Sequence, residues 1–305
     1  MTASAPYTVE VADGVYAYIQ PDGGWLINNT GFIVGRSGVI SIDSCATERR
    51  TRAYLDAIVA VTPRPIRTLV NTHHHGDHTF GNFLFPTATI VGHEQCRAAT
   101  LAFGPPRNRG IWTDVEWGRF AMAPPFLTYT SGITLWSDEL CCDVRYVGTP
   151  AHTTNDSIVH LREQGVLFAG DLLSPGGTPF VLMGSVSGAI EVLEQVLGPL
   201  DARTIVAGHG VVCGPEVIEE TLGYLRFVQD VAYRGREAGL TPLQAARDTD
   251  LGEYAGLLDA ERIVGNLHRA YAELDDAEPG ARLDGEAALR DMVAYNAGRP
   301  LTCNL

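Results

Sequence analysis

Apolar positions along the chain change their period several times, and each change predicts an element. Residues 7–20 alternate like a strand pair, broken at the turn Asp13-Gly14. Residues 31–34 and 38–42 are two further short strands, joined by a turn at 35–38. Residues 47–61 take helical spacing, with Tyr54, Ile58 and Val61 on one face, and Pro63 and Pro65 end the helix. A strand-like run at 66–72 follows, with Asp77 placed to cap a short helix entered at His78. Then come a strand at 88–91, a helix at 94–103, and several short strands over 126–147. Residues 166–171 and 204–209 read as buried strands, and 187–197 as a helix halted near Gly198-Pro199.

From residue 215 the pattern is mostly helical. Val217, Thr221, Tyr224, Leu225 and Val228 make one stripe, of the kind used for core packing, for contacts between copies of a chain, or for walling a cleft. Leu240-Thr241-Pro242 starts another helix with proline in its first turn, and 260–274 and 287–295 give two more. The polar stretch after Asp275-Asp276 predicts a loosely held tail. The whole reads as a layered α/β core over 1–214 with a helical extension, 215–305, packed on it as one domain. Residues 104–125 are irregular and rich in proline and aromatics, a lid-like insertion whose alternative is a packed surface loop. Trp112 and Trp117 in that segment, with Phe180, are the expected walls of a substrate pocket.

Composition narrows the classes. At 305 residues the chain is long enough for a sizeable core. No apolar run is long enough to span a bilayer, and residues 1–6 lack the basic and apolar regions of a secretory signal, so the expectation is a cytoplasmic protein. The net charge of −14 argues against nucleic acid as a partner. All 22 basic residues are arginine, which excludes lysine-based catalysis. Arg107, Arg109 and Arg119 form a candidate local basic patch. The six cysteines contain no CxxC pair and read as buried thiols; Cys213, four residues after His209, is the one that could approach the chemistry.

That chemistry starts at His73-His74-His75-Gly76-Asp77-His78. In extended backbone, residues two apart face the same side, so His73 and His75 converge while His74 turns away. Imidazole nitrogen and carboxylate oxygen suit divalent zinc. Three more candidates, His152, Asp171 and His209, each follow an apolar strand-like run, where a rigid sheet can hold a loop residue in place. His74, His93, His160 and His268 are left to packing.

The order and spacing of Asp43, His73-x-His75-x-Asp77-His78, His152, Asp171 and His209 resemble the metallo-β-lactamase superfamily over roughly residues 10–215. The resemblance implies an αββα four-layer sandwich, here with extra C-terminal helices, and two Zn2+ at one edge between the sheets. It implies that His73, His75 and His152 hold one ion, that Asp77, His78 and His209 hold the other, and that Asp171 bridges them. Asp43 corresponds to an aspartate that orients the histidine loop without binding metal. Asp77 would also accept the proton of the attacking water. Histidine at position 75, where oxygen-reducing diiron relatives carry glutamate, favours zinc over a carboxylate-rich iron site.

Paired zinc ions activate water and polarise a carbonyl, which suits hydrolysis of thioesters, lactones or amides and also enolate chemistry. Residues 70–82, 166–171, 177–180, 184–186, 240–246 and 256–262 are similar to second-ring cyclases of bacterial aromatic polyketide pathways. That likeness implies ring closure by aldol chemistry, thioester hydrolysis, or both, on a polyketide tethered to an acyl carrier protein. The alternatives are another zinc hydrolase, such as a glutathione thioesterase or a lactonase, and a non-catalytic metal-binding protein.

Overall fold

A computed structural model describes residues 5–107 and 110–305. Among these residues, twelve strands form two sheets. The first holds β1 (Tyr7–Ala12), β2 (Val15–Ile19), β3 (Thr30–Val34), β4 (Val39–Ile42), β5 (Ile66–Val70), β6 (Thr89–His93) and β7 (Leu127–Tyr129), lying side by side in chain order. It is antiparallel as far as β4 and parallel from β4 to β7. The second holds β8 (Gly132–Ser137), β9 (Leu140–Tyr146), β10 (Ser157–Leu161), β11 (Val166–Gly170) and β12 (Thr204–Ala207), with only β11–β12 parallel.

The sheets face each other across one apolar core. Val15, Ile33, Ile42 and Val70 of the first meet Val144, Val159, Phe168 and Val206 of the second. This is how strands with two buried faces acquire nearly continuous apolar runs. Helix α1 (Glu48–Val61) covers the outer face of the first sheet, with Tyr54 and Ile58 packed against Phe32 and Leu69. The other helices are α2 (Gly76–Thr79), α3 (Glu94–Phe103), α4 (Val186–Val192), α5 (Glu216–Glu237), α6 (Pro242–Asp248), α7 (Arg262–Leu274) and α8 (Gly285–Tyr295). Residues of α4, α5 and α7 cover the outer face of the second sheet over Ile158, Leu167 and Ile205. The result is the expected αββα sandwich.

Several local expectations change. Val61, the last residue of α1, is solvent-exposed and does not join Tyr54 and Ile58 in the core. Asp77 does not cap α2: His75 occupies that position, and Asp77 is buried within the first turn. The helix expected from 187 starts at Val186, capped by the Ser185 hydroxyl, and widens into a π turn over Leu193–Leu197. The end of the chain is fastened. Leu301 is fully buried, donates its N–H to Ile111 O and pairs with Trp112. Segment 110–125 is pinned in turn, by that contact and by Glu48 N–H donating to Trp117 O.

Candidate metal centre

The strand ends converge on one edge of the sandwich, between the two sheets. Beyond β4, Asp43 takes a left-handed backbone (φ 59°) and turns its carboxylate toward the end of β5. There it accepts Thr72 N–H (2.8 Å) and the Thr72 hydroxyl (2.7 Å), and it pairs with His78 Nδ1 (2.8 Å). The chain after Thr72 is thereby held in a turn rather than a continuing strand, and the His73 and His75 rings meet at 4.9 Å. His152 comes from the β9–β10 connection, where Asp156 closes the turn by accepting Thr153 N–H (2.7 Å) and its hydroxyl (2.6 Å). Asp171 follows β11, and His209 follows β12.

Two donor groups result. One is His73, His75, His152 and Asp171; the other is Asp77, His78, Asp171 and His209; within each, ligand atoms lie inside 4.8 Å of one another. Asp171 belongs to both. Its Oδ2 is 3.4 Å from His152 Nε2 and 3.3 Å from His209 Nε2, and its Oδ1 is 3.0 Å from His78 Nε2. Asp77 Oδ2 is 3.3 Å from His209 Nε2.

The residues fit metal ions. Two atoms each about 2.0–2.1 Å from a tetrahedral ion lie roughly 3.3 Å apart, close to these spacings. His73 Nε2, His78 Nε2 and Asp171 Oδ1 are buried, and apart from the 3.0 Å approach of the last two to each other they have no hydrogen-bond partner. Three such atoms facing each other are costly unless something satisfies them.

The outer ring nitrogens, by contrast, are satisfied. His73 Nδ1 meets the Thr72 hydroxyl (3.1 Å), His209 Nδ1 meets Gly23 O (3.1 Å), and His152 Nδ1 meets Phe180 O. With the His78–Asp43 contact, four imidazoles turn Nε2 inward. His75 is reversed. Its Nδ1 lies 2.8 Å from His152 Nε2, and its Nε2 lies 3.3 Å from Met183 Sδ. Partners of this kind fix ring orientation and tautomer at a metal site.

Electrostatics separates the donors. Burial pushes His73 and His75 well below the usual imidazole range. Burial also penalises the His78 cation, but Asp171, Asp43 and Asp77 outweigh it and hold His78 well above that range. His209 is raised to about 9, with Asp171 and Asp77 overcoming its burial. Burial would lift Asp77, yet His78 and His209 lower it to about 2. Asp171 is held well below the carboxylate range in the same way.

Two of the expected pocket residues come together on Trp25, and the third lies apart from them. Trp112 and Phe180 pack edge-on against Trp25, at 4.9 and 5.1 Å. Trp117 packs against Phe80 at 5.8 Å. None of the three is a lone wall, and Phe180 serves the centre through its backbone carbonyl. Cys213 exchanges backbone hydrogen bonds with Ile205 and stands outside both donor groups. Arg109 lies outside the described residues. Arg119 is engaged by Glu48 (2.8 Å), which also pairs with Arg52 (2.8 Å), so the basic patch is largely neutralised at that point. His74 meets Asn155, His93 stacks on Tyr146, His160 is buried in β10, and His268 pairs with Asp291.

Sequence reasoning missed Gly208. A Cβ there would stand 1.9 Å from Asp171 Oδ1, so only glycine lets the carboxylate reach both groups. Glycine directly before a strand-end histidine is the one sequence signal for it.

A model of the metallo-beta-lactamase superfamily matches residues 23–209. The beta-lactamase-like protein 2 homolog of Drosophila melanogaster is 28% identical over 179 residues, 57% of this chain and 53% of that protein. The hydroxyacylglutathione hydrolase of Rhodospirillum rubrum is 28% identical over 184 residues, 59% of this chain and 61% of that protein. The chain thus spans little more than half the length of these curated relatives. Among solved structures, a metallo-beta-lactamase from Pontibacter korlensis superposes with a TM-score of 0.59 at 17% identity, over 72% of this chain and 99% of that one.

Proposed function

This chain belongs to the metallo-beta-lactamase superfamily, and on that premise we propose that it is a dinuclear zinc enzyme acting on a bulky, apolar acyl thioester. The preferred substrate is an aromatic polyketide tethered to an acyl carrier protein, the reaction being closure of its second ring by aldol chemistry, hydrolysis of the thioester, or both. Members of the superfamily are metal-dependent hydrolases. The observation that carries the reading is the overlap of two donor groups at Asp171, with unsatisfied buried donor atoms on both sides.

His73, His75 and His152 would hold one ion, Asp77, His78 and His209 the other, and Asp171 both. When bound, such a pair lowers the pKa of water and polarises a carbonyl oxygen. The residues do the rest. Asp171 fixes the separation of the two groups. Asp77, ionised and buried beside His209, accepts a proton from the attacking water, or from the carbon next to a ketone when a ring is to close. Asp43 and Thr72 keep the His73–His78 turn rigid, so the donors need no rearrangement during the reaction.

Support for the cyclase reading comes from two stretches that carry that likeness, 177–180 and 256–262. They lie against each other: Thr178 N–H donates to Leu258 O (2.9 Å), and Arg262 Nη1 donates to Thr178 O (3.0 Å). A chain without lysine also has fewer means of holding the carboxylates of glutathione. Arg119, already met by Glu48, would contribute little to docking an acidic carrier protein. The second reading, a glutathione thioesterase, is favoured by the likeness to the Rhodospirillum enzyme.

Turnover by zinc-loaded protein separates them. A poly-β-ketoacyl or aryl pantetheine thioester should be consumed faster than a glutathione thioester, giving free acid or a newly closed ring. The reverse preference would replace the cyclase reading with the glutathione one. No turnover of either ester would remove both.

A further inference from the structure

Helix α7 lies outside the segment matched by the superfamily model, yet it grips the metal centre from behind. Arg262, Asn266 and Arg269 are four and three residues apart, so they share one face of the helix. All three are buried, Arg262 at 5%, Asn266 at 0% and Arg269 at 1% exposure. That face meets the loop running from Thr178 to Met183. Arg262 Nη1 donates to Thr178 O (3.0 Å). Asn266 Nδ2 donates to Pro179 O (2.8 Å), and its Oδ1 accepts Val181 N–H (2.9 Å). Arg269 Nε and Nη2 both donate to Leu182 O, at 3.1 and 2.8 Å.

The gripped loop touches two ligands of one donor group. Phe180 O meets His152 Nδ1, and Met183 Sδ lies 3.3 Å from His75 Nε2. The outer nitrogens of the second group turn elsewhere, His78 to Asp43 and His209 to Gly23 O. An apolar side chain would fill the Arg269 position with far less desolvation cost than a guanidinium. Its two carbonyl partners, Leu182 and Ala281, are what the burial secures.

We propose that the Arg262–Asn266–Arg269 row of α7 is a positioning element for the His73–His75–His152 metal site, acting through residues 178–183. It sets the orientation of the His152 and His75 rings and leaves the Asp77–His78–His209 site to other supports. The inference rests on the metal-binding part of the proposed function and is independent of the substrate.

Cobalt(II) titration followed by visible absorption tests it, with each site isolated by removing one ligand of the other. In a His209→Ala background, which leaves only the first donor group intact, adding Asn266→Ala should weaken cobalt binding by about 10–100-fold, the usual cost of losing a ligand's outer partner. In a His152→Ala background, which isolates the second group, the same change should leave cobalt binding where it was. Arg269→Lys should reproduce the pattern, and it replaces Asn266→Ala if that variant does not fold. Tyr271→Phe, on the same helix but with a buried hydroxyl that has no partner, should move neither site. Equal weakening in both backgrounds, or none in either, overturns the proposal. Failure of the unaltered protein to bind cobalt would instead sink the metal-enzyme reading beneath it.

Discussion

Asp171 can serve two donor groups only because the next strand end brings a residue without a side chain against it. Gly208→Ala adds one methyl group, changes no charge and removes no ligand, yet its Cβ would stand 1.9 Å from Asp171 Oδ1. We expect it to lower metal content and turnover together, measurable by elemental analysis of the purified variant. A fully loaded, active Gly208→Ala protein would show that the carboxylate has room to spare. A second expectation concerns protons. Carboxylates raise His78 and His209, so at neutral pH the metal-free protein carries imidazolium at both positions, His209 up to about 9. An ion needs both rings neutral, so binding should release protons and affinity should fall as pH falls. Calorimetry in two buffers of different ionisation heat reads the release directly, and identical heats would contradict it. At this scale the ligands were legible because each histidine or carboxylate closes an apolar run. The reversed ring of His75, the Met183 contact and Gly208 were not, since they depend on how distant strand ends approach.

At the scale of elements, α1 shows how a helix fastens an irregular segment. Its N-terminal Glu48 accepts the Arg119 N–H (2.8 Å) and pairs with the Arg119 and Arg52 guanidiniums. Hydrogen bonds from Arg119, with Arg52 behind them, hold the Glu48 carboxyl down, at about 2 against 4.5. The sign follows from that direction. The tether is complete above about 4.5 and is lost as pH falls toward 2, when the carboxyl protonates. Hydrogen exchange at the Arg119 amide should therefore lose protection over that window. Glu48→Ala should produce the same loss at neutral pH while the far side of α1 stays protected. Protection that persists in the variant would mean other contacts hold the segment. Helices were legible where periodicity met a cap: α3 begins at Glu94 as expected, and α6 carries the Thr241–Gln244 capping box. The reading failed where tertiary contacts overrode local signals. Asp77 looked like a cap but is held inside α2 facing His209, and the π turn after α4 has no sequence mark.

Across the whole molecule, each ion would draw two donors from the loop beyond β5 and two from loops of the second sheet. Bound metal therefore joins the two sheets, and separating them must expel it. Removal of metal with a chelator should speed unfolding in denaturant and lower the melting temperature. If unfolding rates with and without chelator coincide, the ions do not span the sheets. The αββα layering was legible from alternating strand and helix patterns. The meeting of stretches 177–180 and 256–262 was not, because their pairing partners lie some eighty residues apart. The same division of donors has a consequence for biosynthesis. A chain emerging from the ribosome as far as β7 has its first sheet complete, built from strands that neighbour one another in sequence, and offers each ion only two donors. The apolar inner face of that sheet stays uncovered until the second sheet has been made. The first donor group lacks a member until Asp171 has been made and the second until His209, so a full metal complement would have to wait for the second sheet.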